Sequence, residues 1–422
     1  MLINKKLESG VTLVGEQLGN FHSVTMGIWV GAGSITETPA ENGISHLIEH
    51  MLFKGTDKRS AKQIAVDVDN IGGQINAFTS KEATCYYIKT IDEKIEEGME
   101  ILTDLFCHAT LDPTELEKEK GVVLEEIAMS NDTPEDVAMD LISSTFFKGC
   151  SLEKTILGPP ENIKGFMRDN LTGYMDHHYT AENIVVSVAG NFDEGKLTDC
   201  LNKYLSVGHS RKNNIEVADC SNFKNIKGFD TAKKDIEQVH VCMAMPSYDV
   251  KNKNRYALHV LNNIIGGSMS SRLFQKIREE MGMAYSVYSH PVMYRDTGMF
   301  SLYAGTTAQN VQAVADTMVE ELRMIAQKGV TTTEFEQSKA QLKGNLILSL
   351  ESTSAKMNSI GKAMVLTGRV YTDEEVIKMV DDTTFDDVGR AIEEVIAPDK
   401  ITATYVGKIN DASALKNTTF GD

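Results

Sequence analysis

Ser23-Val-Thr-Met-Gly-Ile-Trp-Val-Gly leads into Gly43-Ile-Ser-His-Leu-Ile-Glu-His-Met-Leu-Phe: an alternating strand, then a helix with an apolar stripe. The chain repeats this plan, with Gln238-Val-His-Val-Cys-Met-Ala-Met leading to Tyr256-Ala-Leu-His-Val-Leu-Asn-Asn-Ile-Ile-Gly. Two more matches follow in the same order. Leu111-Asp-Pro-Thr-Glu-Leu-Glu parallels Val330-Thr-Thr-Thr-Glu-Phe-Glu; each offers an N-cap (Asp112, Thr331) with Glu three positions on (Glu115, Glu334), so both open capped helices. Asn183-Ile-Val-Val-Ser-Val-Ala-Gly-Asn-Phe parallels Lys400-Ile-Thr-Ala-Thr-Tyr-Val-Gly-Lys-Ile as a late strand. Matches in one order point to a duplicated domain. Strands fall early and late in each half, with amphipathic helices between them; Asp92 to Phe106 carries Ile95, Met99, Leu102 and Phe106 on one face. The reading is α+β: two homologous domains, each an antiparallel sheet flanked by helices. The polar stretch from Ser206 to about Asp230 has linker composition, so the expected division is 1–206, linker 207–230 and 231–422.

A chain of 422 residues exceeds one ordinary hydrophobic core, which agrees with two domains. Its 41% hydrophobic and 24% charged content is that of a soluble protein, and no window approaches the roughly 20 apolar residues of a membrane span. Met1-Leu-Ile-Asn-Lys-Lys-Leu-Glu-Ser-Gly has neither a signal h-region nor the Arg-rich pattern of a transit peptide, so a cytoplasmic location is expected. With 60 acidic against 42 basic side chains, the net charge of −18 disfavours nucleic acid. Six scattered cysteines without a CxxC pair are expected to be reduced.

His46 and His50 stand four apart on the first helix, so both imidazoles project from one face about a turn apart, and Glu49 shares that face. The helix near Pro113 carries Glu119 and Glu126 on one face, among apolar positions such as Leu116 and Val123, where a carboxylate needs a reason. The copy in the second half tests the assignment. His46, Glu49 and His50 meet His259, Asn262 and Asn263, and Glu119 and Glu126 meet Ser338 and Asn345, so all but one histidine become neutral there. Two imidazoles and a carboxylate suit zinc with one open position for an acidified water, and a glutamate held off the metal suits a general base. Glu119 is read either as orienting a ligand or as a solvated carboxylate. His108, His177, His178 and His290 lack a chelating spacing and are read as structural or surface groups.

The chain resembles the insulinase and pitrilysin family of inverted-motif zinc peptidases, the inverzincins. The likeness is greatest to the small two-domain branch that includes mitochondrial processing peptidase and bacterial relatives. It is carried by the His-x-x-Glu-His helix continuing to Lys54-Gly-Thr, by Gly72-Gly-Gln-Ile-Asn-Ala-Phe-Thr-Ser, by Glu119-Lys-Gly-Val-Val-Leu-Glu-Glu-Ile, and by Gly266-Gly-Ser-Met-Ser-Ser-Arg-Leu-Phe-Gln-Lys-Ile-Arg-Glu-Glu-Met-Gly-Met-Ala-Tyr. The resemblance implies a zinc metalloendopeptidase acting on short or unfolded peptides, precursor processing being one such role, with one zinc per chain. It makes Glu126 the third ligand, Glu119 an additional acidic residue and Glu49 the base. It also implies a peptide added as a strand along Asn76, Ala77 and Phe78, a flexible loop at Gly266 and Gly267 facing that peptide, and substrate contact near the scissile bond by Arg278 and Tyr285. Larger relatives spread zinc site and Arg/Tyr pair over four domains; two domains holding both motifs imply a homodimer with active sites shared between chains. The alternative is a scaffold or core subunit of the same fold that does no chemistry.

Overall fold

The computed structural model describes residues 2–208, 220, 223, 227–409 and 411–420. It divides into two compact units, each with one sheet. In the first, β1 (Leu2–Lys6), β2 (Thr12–Gln17), β3 (Ser23–Val30), β4 (Gln74–Thr79), β5 (Thr84–Ile91) and β6 (Ile184–Gly190) lie in the order β1-β2-β6-β3-β5-β4. In the second, β7 (Phe229–Lys233), β8 (Gln238–Ser247), β9 (Ala284–Met293), β10 (Gly298–Thr307) and β11 (Thr402–Gly407) lie in the order β7-β11-β8-β10-β9. The pairs β2–β6 and β7–β11 are parallel and all others antiparallel, so each sheet is mixed in the same place.

The duplication extends to single residues. Gly190 and Gly407, at the ends of β6 and β11, both have φ of +134°. A Cβ there would come within 2.3 Å of Ser23 O and 2.5 Å of Gln238 O, the first residues of β3 and β8. Alternation then sets the layers. Val24, Met26, Ile28 and Val30 of β3 join the core formed with the helices Ile44–Leu52, Ile95–His108 and Pro113–Asp132. Val239, Val241, Met243 and Met245 of β8 do the same with the helices Arg255–Ile265, Val311–Lys328 and Phe385–Val395.

The units are not the contiguous stretches expected from the sequence. The first comprises 1–127, 154–218 and 348–373, and the second 128–153, 219–347 and 374–422. The helix Thr353–Thr367 therefore covers the first sheet on β3 and β6, while the helix Pro134–Phe146 covers the second on β8 and β11. The reason lies in what each sheet leaves bare: Trp29, on the outer face of β3, is buried against Met357 and Ile360. Its Nε1–H donates to Ser187 Oγ at 2.8 Å, and Gly361 passes so close that a Cβ would lie 2.2 Å from that nitrogen. Lys356 of the same helix is 5% exposed and is paired with Glu16 at 3.1 Å and with Asp373. Of the expected linker, 209–219, 221–222 and 224–226 lie outside the described residues.

The expectation of six reduced cysteines is corrected: Cys150 and Cys220, both in the second unit, form a disulfide closing 70 residues, with Cα atoms 6.2 Å apart. No spacing motif announces a bridge between such distant positions. Cys85, Cys107, Cys200 and Cys242 are free thiols. Among the described residues, no helix is long and apolar enough to cross a membrane.

Candidate metal centre

The helix Ile44–Leu52 is anchored by Ile44, Leu47, Ile48, Met51 and Leu52, all 0% exposed, which leaves His46, Glu49 and His50 on the remaining face. Gly43 has no side chain to cap the helix start. Glu37, 3% exposed, caps it from the preceding turn: Oε2 accepts from Gly43 N–H and from Asn42 Nδ2, both at 2.9 Å, and Oε1 accepts from Ser45 N–H at 3.0 Å. A carboxylate at this end also meets the positive pole of the helix.

The second element is the helix Pro113–Asp132. Asp112 Oδ1 accepts from the N–H groups of Thr114 (2.8 Å) and Glu115 (3.1 Å), and Leu116, Val123 and Ile127 bury one face. The two helices bring Glu126 Oε2 to 3.6 Å from His46 Nε2 and 3.4 Å from His50 Nε2, with the imidazole centroids 4.6 Å apart. The ligand atoms all lie within 4.8 Å of one another, the one such His/Cys/Asp/Glu group among the described residues. A tetrahedral metal with bonds of about 2.0–2.1 Å separates its ligands by roughly 3.3–3.4 Å, so the two Glu126–histidine distances are close to those of a zinc site. Burial and the neighbouring His50 lower the pKa of His46 to about 4, which keeps it the neutral imidazole that ligation requires.

Glu49 stands outside this group. Thr79 at the end of β4 donates a hydrogen bond to its carboxylate. Burial raises the Glu49 pKa, opposed by the Thr79 bond and by His50 and reinforced by Glu126. Glu119, 5% exposed, places Oε1 2.9 Å from His50 Nδ1 and Oε2 2.6 Å from Lys54 Nζ, so it is a partner of His50 rather than a solvated carboxylate. Asn76, Ala77 and Phe78 lie on β4, which among the described residues pairs only with β5 and is the sheet's edge. Ala77 N–H bonds the Asn76 side chain at 2.8 Å, so it faces away from β5, and strand alternation puts Ile75 and Thr79 on the same open side.

Arg278 and Tyr285 belong to the second unit. The Arg278 guanidinium sits over the Phe274 and Tyr285 rings at 4.7 and 4.8 Å, and Tyr285 is 78% exposed at the start of β9, an accessible aromatic rather than a core one. Gly266 caps the C-terminal end of the helix Arg255–Ile265, and Gly267 follows it in the turn. A Cβ on Gly266 would lie 2.5 Å from Ser289 N, and one on Gly267 2.6 Å from Asn262 Nδ2.

The second unit keeps matching contacts but only one of the three candidate ligands, His259. Ser289 of β9 donates to Asn262 Oδ1 at 2.8 Å, as Thr79 donates to Glu49, and Asn263 Nδ2 reaches Ser338 O at 3.4 Å where His50 faces Glu119. Burial, with His290 and Arg255 nearby, lowers the pKa of the remaining His259 to about 4. Sequence reasoning missed Glu37, Lys54 and Thr79. Lys54 and Thr79 fall inside the quoted motifs, but nothing in spacing shows which partner each meets; Glu37 carries no signal.

A two-unit α+β chain with one intact His/His/Glu cluster and one emptied copy defines a class, and comparison agrees. Residues 14–160 match the family described as Insulinase (Peptidase family M16), and residues 165–342 match the Peptidase M16 inactive domain. A relative in Bacillus subtilis, described as an uncharacterized zinc protease, YmxG, is 45% identical over 370 residues, 88% of this chain and 90% of its own. An uncharacterized zinc protease of Streptomyces coelicolor is 34% identical over 413 residues, 97% of this chain and 90% of its own. The fold is shared by a protease from Helicobacter pylori (TM-score 0.89, 22% identity, covering 96% of this chain and 99% of that one) and by a chain of complex III2 from Candida albicans (TM-score 0.85, 20% identity, 100% of both). The chain belongs to the insulinase family, peptidase family M16.

Proposed function

We propose that the chain is a zinc-dependent endopeptidase that cuts short or unfolded peptides, with one zinc per chain on His46, His50 and Glu126. One observation carries the reading: Glu49 stands beside the three-ligand cluster, outside it, and is bonded to Thr79 at the end of the open edge strand β4. A bound zinc supplies Lewis acidity, lowering the pKa of a water and polarising the scissile carbonyl. Glu49 takes the water's proton as the carbonyl is attacked and passes it to the leaving amine. The outward backbone groups of Ile75, Ala77 and Thr79 pair with an extended peptide, which displaces the Asn76 side chain from Ala77 N–H and runs the peptide past Glu49. Glu119 orders His50. Arg278 and Tyr285 contact substrate near the scissile bond, beside Gly266 and Gly267, and in a homodimer they serve the partner subunit's zinc site. The donor set is complete, which favours chemistry over a scaffold role.

The test is a diverse peptide library, with products sequenced before and after zinc chelation. Glu49→Gln should lower turnover by about 10²–10⁴ at unchanged zinc content. Undiminished hydrolysis, or loss of zinc from that variant, would overturn the assignment.

A further inference from the structure

We propose that Lys54 is a positioning residue for the metal centre: its ammonium holds the Glu119 carboxylate in the orientation that orders the His50 imidazole, and so sets how tightly the site takes zinc. The inference rests on the zinc reading of His46, His50 and Glu126.

Lys54 lies two residues past the end of the Ile44–Leu52 helix, where its N–H donates to Met51 O at 3.1 Å and Phe53 N–H donates to His50 O at 3.2 Å. From that fixed backbone Nζ reaches Glu119 Oε2 at 2.6 Å, while Oε1 of the same carboxylate stands 2.9 Å from His50 Nδ1. Each oxygen thus has a partner of its own. The line ends at His50 Nε2, 3.4 Å from Glu126. Glu119 is 5% exposed and Lys54 30%, so the carboxylate is removed from water and the ammonium is its compensating charge. Pinned at one oxygen, it presents the other to Nδ1–H, which leaves the Nε2 lone pair for a metal. His46 has no such support: its Nδ1 is buried without a hydrogen-bond partner. Ordering of the ligand imidazoles falls to the Lys54–Glu119–His50 line.

The copy in the second unit gives an independent reason. In the alignment that sets His50 against Asn263, Lys54 meets Gly267, and Glu119 meets Ser338. Ammonium and carboxylate are absent together, in the unit that has lost the ligands. A lysine kept for solubility or packing has no cause to follow the carboxylate.

Zinc affinity measured by competition with a chromophoric chelator tests this without reference to turnover. Lys54→Met should bind zinc about 10–100-fold more weakly than the wild-type chain, and Lys54→Arg should recover most of the loss. Lys54→Met/Glu119→Gln should bind no more weakly than Glu119→Gln alone, because Lys54 acts through that carboxylate. Unfolding of the metal-free proteins checks that the variants fold; if Lys54→Met does not, Lys54→Gln is held to the same limits. Wild-type affinity in the methionine variant, losses that add in the double variant, or an arginine variant no tighter than methionine would each overturn the inference. A wild-type chain that takes up no zinc would overturn the metal reading and this inference with it.

Discussion

Glu37→Ala tests whether the metal site is built from the start of its helix. Three donors converge on the buried Glu37 carboxylate: the N–H groups of Gly43 and Ser45 and the Asn42 amide. Hydrogen bonds to a charged acceptor contribute about 1.5–3 kcal/mol each, and a buried donor left unpaired costs about 1–3 kcal/mol. The favourable meeting of carboxylate and helix pole adds about 0.3–2 kcal/mol. These contributions share one side chain and do not sum, so the expected loss is about 3–5 kcal/mol from the first unit. Glu37→Gln keeps an oxygen acceptor and the shape, and should lose about 1–2 kcal/mol. Urea unfolding followed by tryptophan fluorescence is the assay, because the chain's single tryptophan, Trp29, lies in that unit. A shift below about 0.5 kcal/mol for the alanine variant, the range of an unremarkable surface change, would refute the capping role.

Gly361→Ala forces a methyl group onto Trp29 Nε1, and should destabilise the first unit by about 1–3 kcal/mol with a change in tryptophan emission; an unchanged spectrum and midpoint would contradict the close approach. Arg272, bonded to Glu334 at 2.7 Å, chiefly holds that carboxyl at about 2, below its ordinary 4.5. The folded-state pKa is depressed, so this stabilisation is complete above pH 4.5 and is lost as pH falls toward 2. Arg272→Met should flatten that part of the pH–stability profile, and a profile that keeps its slope would exclude the pair as the cause. For sharing of sites between chains, Glu49→Gln and Tyr285→Phe subunits should each be weak, while their co-refolded mixture recovers up to roughly a quarter of wild-type activity under random pairing. No recovery despite verified subunit exchange would rule sharing out.

The sequence reveals whatever one element determines by itself. Period and spacing locate the His46/His50 helix, the capped helices at Pro113 and Thr332 and the strands β3, β6, β8 and β11, because each follows from local chemistry. What two distant elements decide together stays hidden. Nothing in the stretch Thr353–Thr367 says that it covers β3 and β6 of the other half, since the fit of Trp29 against Gly361, Met357 and Ile360 and the Lys356–Glu16 pair, all between remote segments, select that sheet. The contiguous division into 1–206 and 231–422 missed the exchange for this reason. The Cys150–Cys220 bridge and the Glu37 cap are likewise meetings of remote segments.

The two units also differ in what a metal-binding cluster demands beyond its scaffold. In the second unit the matching groups satisfy one another as neutral pairs, Asn262 with Ser289 and Asn263 with Ser338, and Gly267 packs where a lysine would stand. In the first, the carboxylates of Glu49, Glu119 and Glu126 gather around two imidazoles, with Lys54 the neighbouring ammonium. Three formal negative charges less one positive leave two, the charge that a divalent cation brings. Like charges brought together out of water are costly unless compensated. The first unit therefore carries a formal charge imbalance that a divalent cation at His46, His50 and Glu126 would offset, and the matching positions of the second, built on the same strand and helix, carry none. The architecture alone does not call for a metal; the difference lies in the handful of side chains that differ between the two copies.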